Sequence, residues 1–183
     1  MPRVSNHIEP RGALQIARHY VRELIYGAND GIITTFAVVA GVVGGGLSVN
    51  VVLICGAANL FADGLSMAVG NYLSIRAYEG VREAQGLPEE ETSPFRHGLA
   101  TFLAFVVAGA FPLVPYVLPA LPFGRFPWAV ALTLLALFGV GASRGLISDT
   151  AWWTAGLEMF SLGTAVAVVA YGSGALVARI TAR

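Results

Sequence analysis

Three acidic side chains, Asp30, Asp63 and Glu158, stand inside segments otherwise apolar enough to cross a bilayer. An Asp at the centre of a membrane helix costs about 2.5–3.5 kcal/mol on insertion scales, so each is expected to face a protein interior, a wet cavity or a partner. The segment around Asp63 carries more. Cys55, Asn59, Asp63 and Met67 are spaced four apart. Each step of four advances about 40° around a helix, so the four form a slowly winding stripe. All four side chains can offer a lone pair to a metal. A thioether beside a carboxylate suits a borderline ion such as Fe2+ better than Mg2+ or Ca2+. Ordinary roles stay open as well: Met67 as packing, Cys55 as a small hydrophobe, Asn59 as a hydrogen bond to a neighbouring helix. Asp63 has the fewest alternatives, because a buried acid needs a partner.

Asp30 sits at the head of "YGANDGIITTFAVVAGVVGGG", Tyr26 to Gly46, near the cytoplasmic end of its segment where a charge costs less. Glycines accompany it at spacings of four, Gly27 with Gly31 and Gly41 with Gly45, and Gly70 and Ser74 repeat the pattern on the second segment. Small residues at this spacing let helices approach closely, and a symmetric dimer is the commonest assembly. The expectation is a dimer with the first segment at its axis and two copies of Asp30 facing each other; the alternative is that glycine is simply frequent in membrane helices. Two adjacent carboxylates repel when both are ionised, and a divalent cation or a proton relieves them. That couples metal movement to protons.

The elements that must hold these groups follow from composition. Of 183 residues, 56% are hydrophobic and 12% charged, about half the charge of a soluble domain; mean hydropathy is +0.69. Charge is balanced and all basic residues are Arg, so nothing attracts nucleic acid. The lone Cys55 excludes an internal disulfide, and no zinc spacing occurs. His7, His19 and His97 fall outside the apolar segments, so no intramembrane Ser–His pair is available and an enzyme is not expected. No cleavable leader is evident.

The sequence predicts an all-α membrane protein with five spans, at about 24–47, 51–77, 98–119, 126–144 and 150–178. Residues 1–23 are an N-terminal amphipathic segment, its Leu14, Ala17, Val21 and Leu24 at helical spacing, and 78–97 is a polar cytoplasmic loop. Arginine placement sets the N-terminus on the cytoplasmic side: Arg3, Arg11, Arg18, Arg22, Arg76, Arg82, Arg96 and Arg144 fall there, against Arg125, Arg179 and Arg183 outside. Pro112, Pro115 and Pro119 kink the third span, through a terminal bend or through carbonyls freed to line a path. Five spans do not divide into equal inverted halves, so a working pore calls for a second copy of the chain.

Three blocks, "YGANDGIITTFAVVAGV", "ADGLSMAVGNYLS" and "AFPLVPYVLP" with the stretch from "GASRGL" to "YGSG", resemble the vacuolar iron transporter (VIT) family of divalent-metal carriers, from about residue 18 to near the end. The resemblance implies five transmembrane helices per subunit, a homodimer with the ion path between subunits, and proton-coupled export of Fe2+, often with Mn2+, from the cytosol. It places the family's pathway acid on Asp30 and its methionine on Met67, with Asp63 a third candidate in the same block. The sequence departs from the family in two places. Typical members continue the second span into a glutamate-rich cytoplasmic domain that collects metal; here a short polar stretch remains, with Glu79, Glu83 and Glu89 to Glu91 as a remnant. Asn71 stands where members often carry an acid.

The resulting expectation is a proton-coupled Fe2+/Mn2+ exporter with Asp30, Met67, Asp63, Asn59 and Glu79 as metal residues. It has no tightly bound cofactor, and its partners are a second copy, lipid, divalent ions and protons. It is placed as a multi-pass protein of the bacterial inner membrane. The rival reading is a non-transporting scaffold or partner subunit that keeps the family fold.

Overall fold

The computed structural model describes residues 12–119, 121–147 and 150–181. A short helix α1 (Ala13–His19) leads into α2 (Val21–Gly44), α3 (Val49–Ala84) and α4 (Pro94–Gly109). A 3-10 turn at Phe111–Leu113 and the single turn α5 (Val114–Val117) prolong α4, and the hairpin α6 (Arg125–Ile147) and α7 (Trp152–Thr181) follows. Five helices, with Pro94–Val117 counted as one, are long and apolar enough to cross a membrane. The chain is therefore an all-α integral membrane protein.

The expected amphipathic segment proves shorter and interrupted. Its first eleven residues lie outside the described ones; the rest forms α1, breaks at Tyr20 (φ −96°, ψ 12°) and restarts as α2 at Val21. Arg22 and Glu23 thus belong to the first turn of the first span.

Both helices flanking the first hairpin end through the same backbone device. At the end of α2, Leu47 N–H bonds Val42 O (3.1 Å) and Gly46 N–H bonds Val43 O (2.9 Å); at the end of α3, Leu87 N–H bonds Arg82 O (2.9 Å) and Gly86 N–H bonds Glu83 O (3.0 Å). This paired closure needs a left-handed residue after the helix. Gly46 (φ +68°) and Gly86 (φ +70°) supply it.

The stop at Gly86 makes α3 36 residues long, roughly 54 Å at 1.5 Å per residue against about 30 Å of hydrocarbon. Its C-terminal part is the charged end, with Arg76, Glu79 and Arg82. The stretch from Tyr78 to Ala84, read from its polarity as loop, is therefore helix. The true loop, 85–93, is tied back onto α3. Glu79 is buried and its Oε1 accepts the N–H groups of Glu90 (3.1 Å) and Glu91 (2.9 Å). Arg82 donates to Pro88 O (Nη2, 2.9 Å) and pairs with Glu90 (3.1 Å).

Helix α2 is the hub, in contact with α3, α4, α6 and α7. Glycine makes those contacts close. A Cβ at Gly27 would press on Thr101 O, one at Gly31 would collide with the backbone of Phe105, and Gly109 in turn meets Gly31 O; near the other end Gly44 lies against Tyr171 O and Gly174 against the Gly41 backbone. Within the protomer, Gly27 and Gly31 thus serve the contact with α4, and Gly44 that with α7. The prolines of the third span are likewise packed: Pro112, which cannot donate an N–H, ends α4, and both Pro112 and Pro115 are fully buried beside the core of Phe36, Val39, Phe105 and Tyr116.

Two measurements check this packing. Gly31→Ala, which must displace the Phe105 backbone, lowers stability by about 1–3 kcal/mol, read as a lower melting temperature in detergent. Gly139→Ala, at a site open to within 4 Å, leaves it unchanged or raised. Glu79→Ala frees the loop, so the amides of Glu90 and Glu91 exchange with deuterium at least about tenfold faster, the low end for hydrogen bonds to a charged acceptor. Unchanged exchange would mean that the carboxylate does not anchor the loop.

Candidate functional site

On α2, Glu23, Tyr26, Asp30 and Thr34 follow at intervals of three, four and four and so share one face. With α4 and α7 closing other faces, this one looks across a groove to α3. There Asn59, Asp63 and Met67 of the winding stripe read from the sequence are continued one step further by Asn71. The structure brings the two rows together in antiparallel order. Asn59 Nδ2 donates to Thr34 Oγ1 at 3.5 Å, and Thr34 Oγ1 donates to Asp30 O at 2.9 Å. One turn further Asp63 is the charged neighbour of Asp30, and both carboxylates are half-buried.

Next, Met67 lines a cavity of about 370 Å3 with Arg22, Glu23, Tyr26, Gly70 and Asn71. Met67 also packs against the core cluster, so its thioether serves both wall and lining. Asn71, standing where relatives were expected to carry an acid, donates to Thr101 Oγ1 at 2.9 Å and so braces α3 on α4.

Three other candidates lie elsewhere. Cys55 is exposed. Glu79 is the last position of the same four-residue stripe, but 40° of drift per step carries the stripe to the buried side by Ile75 and Glu79. Its carboxylate anchors the loop instead of lining the groove. Glu158 pairs with Arg144 across the α6–α7 hairpin, both substantially exposed.

The structure adds a cluster at the mouth of the groove. Glu23, His97, His19 and Glu91 converge where α1, α2 and α4 meet the loop. His97 is buried, with Nδ1 3.2 Å from Glu23 Oε1 and Nε2 2.9 Å from Glu91 Oε2. His19 Nε2 approaches the same Glu91 oxygen at 3.8 Å. Arg22 donates to Glu23 Oε1 through Nη2 at 2.9 Å. A cavity of about 510 Å3 opens beside the cluster, and Arg22, Glu23 and Ser74 line both cavities, so mouth and groove adjoin. Spacing held one usable signal, since Glu23 lies seven residues before Asp30 and so on the same face. The histidines gave none: His19 and His97 are joined only by the folding of three helices.

The family profile described as the VIT family matches residues 21–85 and 79–175, two blocks that meet at the projecting end of α3. A vacuolar iron transporter of Toxoplasma gondii is 27% identical over 223 residues, covering 86% of this chain and 74% of its own. That length exceeds the 183 residues here, so the relative carries inserted sequence. Vacuolar iron transporter homolog 1 of Oryza sativa subsp. japonica is 29% identical, covering 88% of this chain and 75% of its own. Vacuolar iron transporter 1 of Arabidopsis thaliana is 23% identical, covering 85% of each. Matched by the profile along nearly its whole membrane portion, from the first turn of α2 to the last turns of α7, the chain belongs to the VIT family.

Proposed function

We propose that this protein is a metal transporter that moves Fe2+ or Mn2+ out of the cytosol in exchange for protons, working as a homodimer with its N-terminus on the cytoplasmic side. Iron is the ion in the names of its relatives. The observation that carries the reading is the groove: two half-buried carboxylates, Asp30 on α2 and Asp63 on α3, lie close enough there to act on each other electrostatically, with Met67 one turn along α3 from Asp63. Two carboxylates so placed do not both stay ionised without help. A divalent cation satisfies both, and protons replace it when it leaves. Carboxylate, amide oxygen and thioether together suit a borderline first-row ion. In this reading Asp30 and Met67 bind the ion, Asp63 binds it or carries the proton, and Asn59 holds the path's far side through Thr34. The ion is cargo; no resident cofactor or catalytic role is assigned.

The homodimer is supported by what the protomer leaves open. Ala58, Ala62, Ser66, Gly70 and Ser74 form an exposed row of small residues beside the polar stripe of α3. A second copy seated on this row encloses the groove. The relatives are named for the vacuole, so the bacterial inner membrane expected from sequence draws no support from them; the direction proposed requires only a membrane that bounds the cytosol. Outside the transport reading stands the scaffold, favoured by the short 85–93 loop.

Purified protein in liposomes, with an Fe2+-quenched dye and a pH-sensitive dye, separates the two. Fe2+ flux with opposite proton flux is expected, falling at least about tenfold in Asp30→Asn and in Met67→Ala, since even the supporting partners of metal ligands are worth that much. Flux indifferent to both substitutions removes the site assignment, and absence of flux from well-folded protein favours the scaffold.

A further inference from the structure

We infer that His19, Glu91 and His97 form a binding site for a first-row divalent transition cation at the mouth of the groove, with Glu23 orienting His97 from behind. His19 Nε2, Glu91 Oε2 and a His97 ring nitrogen are candidate ligand atoms, one from each residue, all within 4.8 Å of one another. Donors bound to one cation at 2.0–2.2 Å stand about 3.3–3.6 Å apart in a tetrahedron. The observed separations, 2.9 Å from His97 Nε2 to Glu91 and 3.8 Å from His19 to Glu91, bracket that range. The third separation, between the two imidazoles, lies within 4.8 Å.

The surroundings are those of a built site. The side chains of His97 and Glu23 are 4% and 2% exposed. His97 Nδ1 lies 3.2 Å from Glu23 Oε1 yet makes no hydrogen bond of good geometry. A carboxylate at the far nitrogen of a ligating imidazole fixes the ring and raises its basicity. Glu91 is delivered inward by an anchored loop: the Glu79 carboxylate takes its N–H and that of Glu90, and Arg82 holds Pro88 O. The ring of Tyr20 packs on both imidazoles, at 4.6 and 4.8 Å. The 510 Å3 cavity gives access.

The ring centres of the two imidazoles lie 5.1 Å apart with the Glu91 carboxylate within 3.8 Å of both, so two imidazoles and a carboxylate converge on one place. Two nitrogens with one oxygen favour Fe2+, Co2+ or Zn2+ over Mg2+ or Ca2+. That this cation is the cargo awaiting transfer past Glu23 into the groove rests on the transport reading; the binding itself does not.

The test titrates full-length protein in detergent with Co2+, followed by its visible absorption, in an Asp30→Asn, Asp63→Asn, Met67→Ala background that removes the deeper ligands. Bands of a nitrogen- and oxygen-ligated Co2+ are expected in that background. Adding His19→Gln or Glu91→Gln, at partly exposed positions, weakens binding at least about tenfold with melting temperature retained, and Glu23→Gln weakens it less. Absence of Co2+ binding, or binding unchanged by both His19→Gln and Glu91→Gln, overturns the site. Liposomes that carry no Fe2+ while Co2+ binding stays sensitive to His19 and Glu91 defeat the transport reading and uphold the site.

Discussion

Helices in lipid gain nothing from hiding apolar surface from one another, so their association depends on how closely backbones can meet. In this chain that closeness is concentrated on α2. Gly27 and Gly31 bring α4 against it, and Gly44 with Gly174 bring α7. These contacts fix more than distance. One residue of helix is 100° of rotation, so a helix clamped on two sides cannot turn without driving a side chain into a neighbour's backbone. The remaining face is the one that bears Glu23, Asp30 and Thr34. The glycines and the acids of the first span thus express one constraint: the former set the rotation, and the latter use the face it leaves open.

The intramembrane acids show what that orientation accomplishes. Glu158 meets Arg144 from the adjoining helix, so the protein itself supplies the countercharge. The charged neighbour of Asp30 is another acid, Asp63. A pair of carboxylates in a medium of low dielectric needs positive charge brought to it, as metal or as proton. Asn59, Thr34 and Asn71 share the groove without adding charge of either sign. Placed together, these side chains give the groove a polar lining; in the proposed transport reading its occupancy is set by what arrives from outside.

Much of this was legible in the sequence because a helix has a fixed period. The spans, the stripe from Asn59 to Met67 and the candidacy of Asp30 all depend on distances within one helix. Spacing could not say which neighbour a face meets. Gly27 and Gly31 suited a dimer axis as well as they suit α4. Hydropathy also misled at Tyr78 to Ala84, because it reports the solvent around a segment and not its backbone: a helix that leaves the bilayer becomes charged while its hydrogen bonds continue. Glu79 kept the period of the stripe, yet the 40° drift carried it onto the loop. His19 and His97, far apart in sequence, converge only because α1, α2 and α4 pack at one end.

The protomer also leaves a surface that lipid cannot cover well. Hydrocarbon offers no hydrogen bonds, so polar groups at its depth must line water or meet protein. The groove between α2 and α3 is half-open, and the row from Ala58 to Ser74 beside it carries no side chain larger than serine at its four-residue steps. Flanking that row, Phe61, Leu65, Val69 and Leu73 are exposed and apolar, fit for acyl chains or for a partner. Small residues along the rim allow another helix to come near without filling the groove. A second copy would thus shelter Asp30 and Asp63 from lipid while leaving between the subunits the room that an ion with part of its water needs.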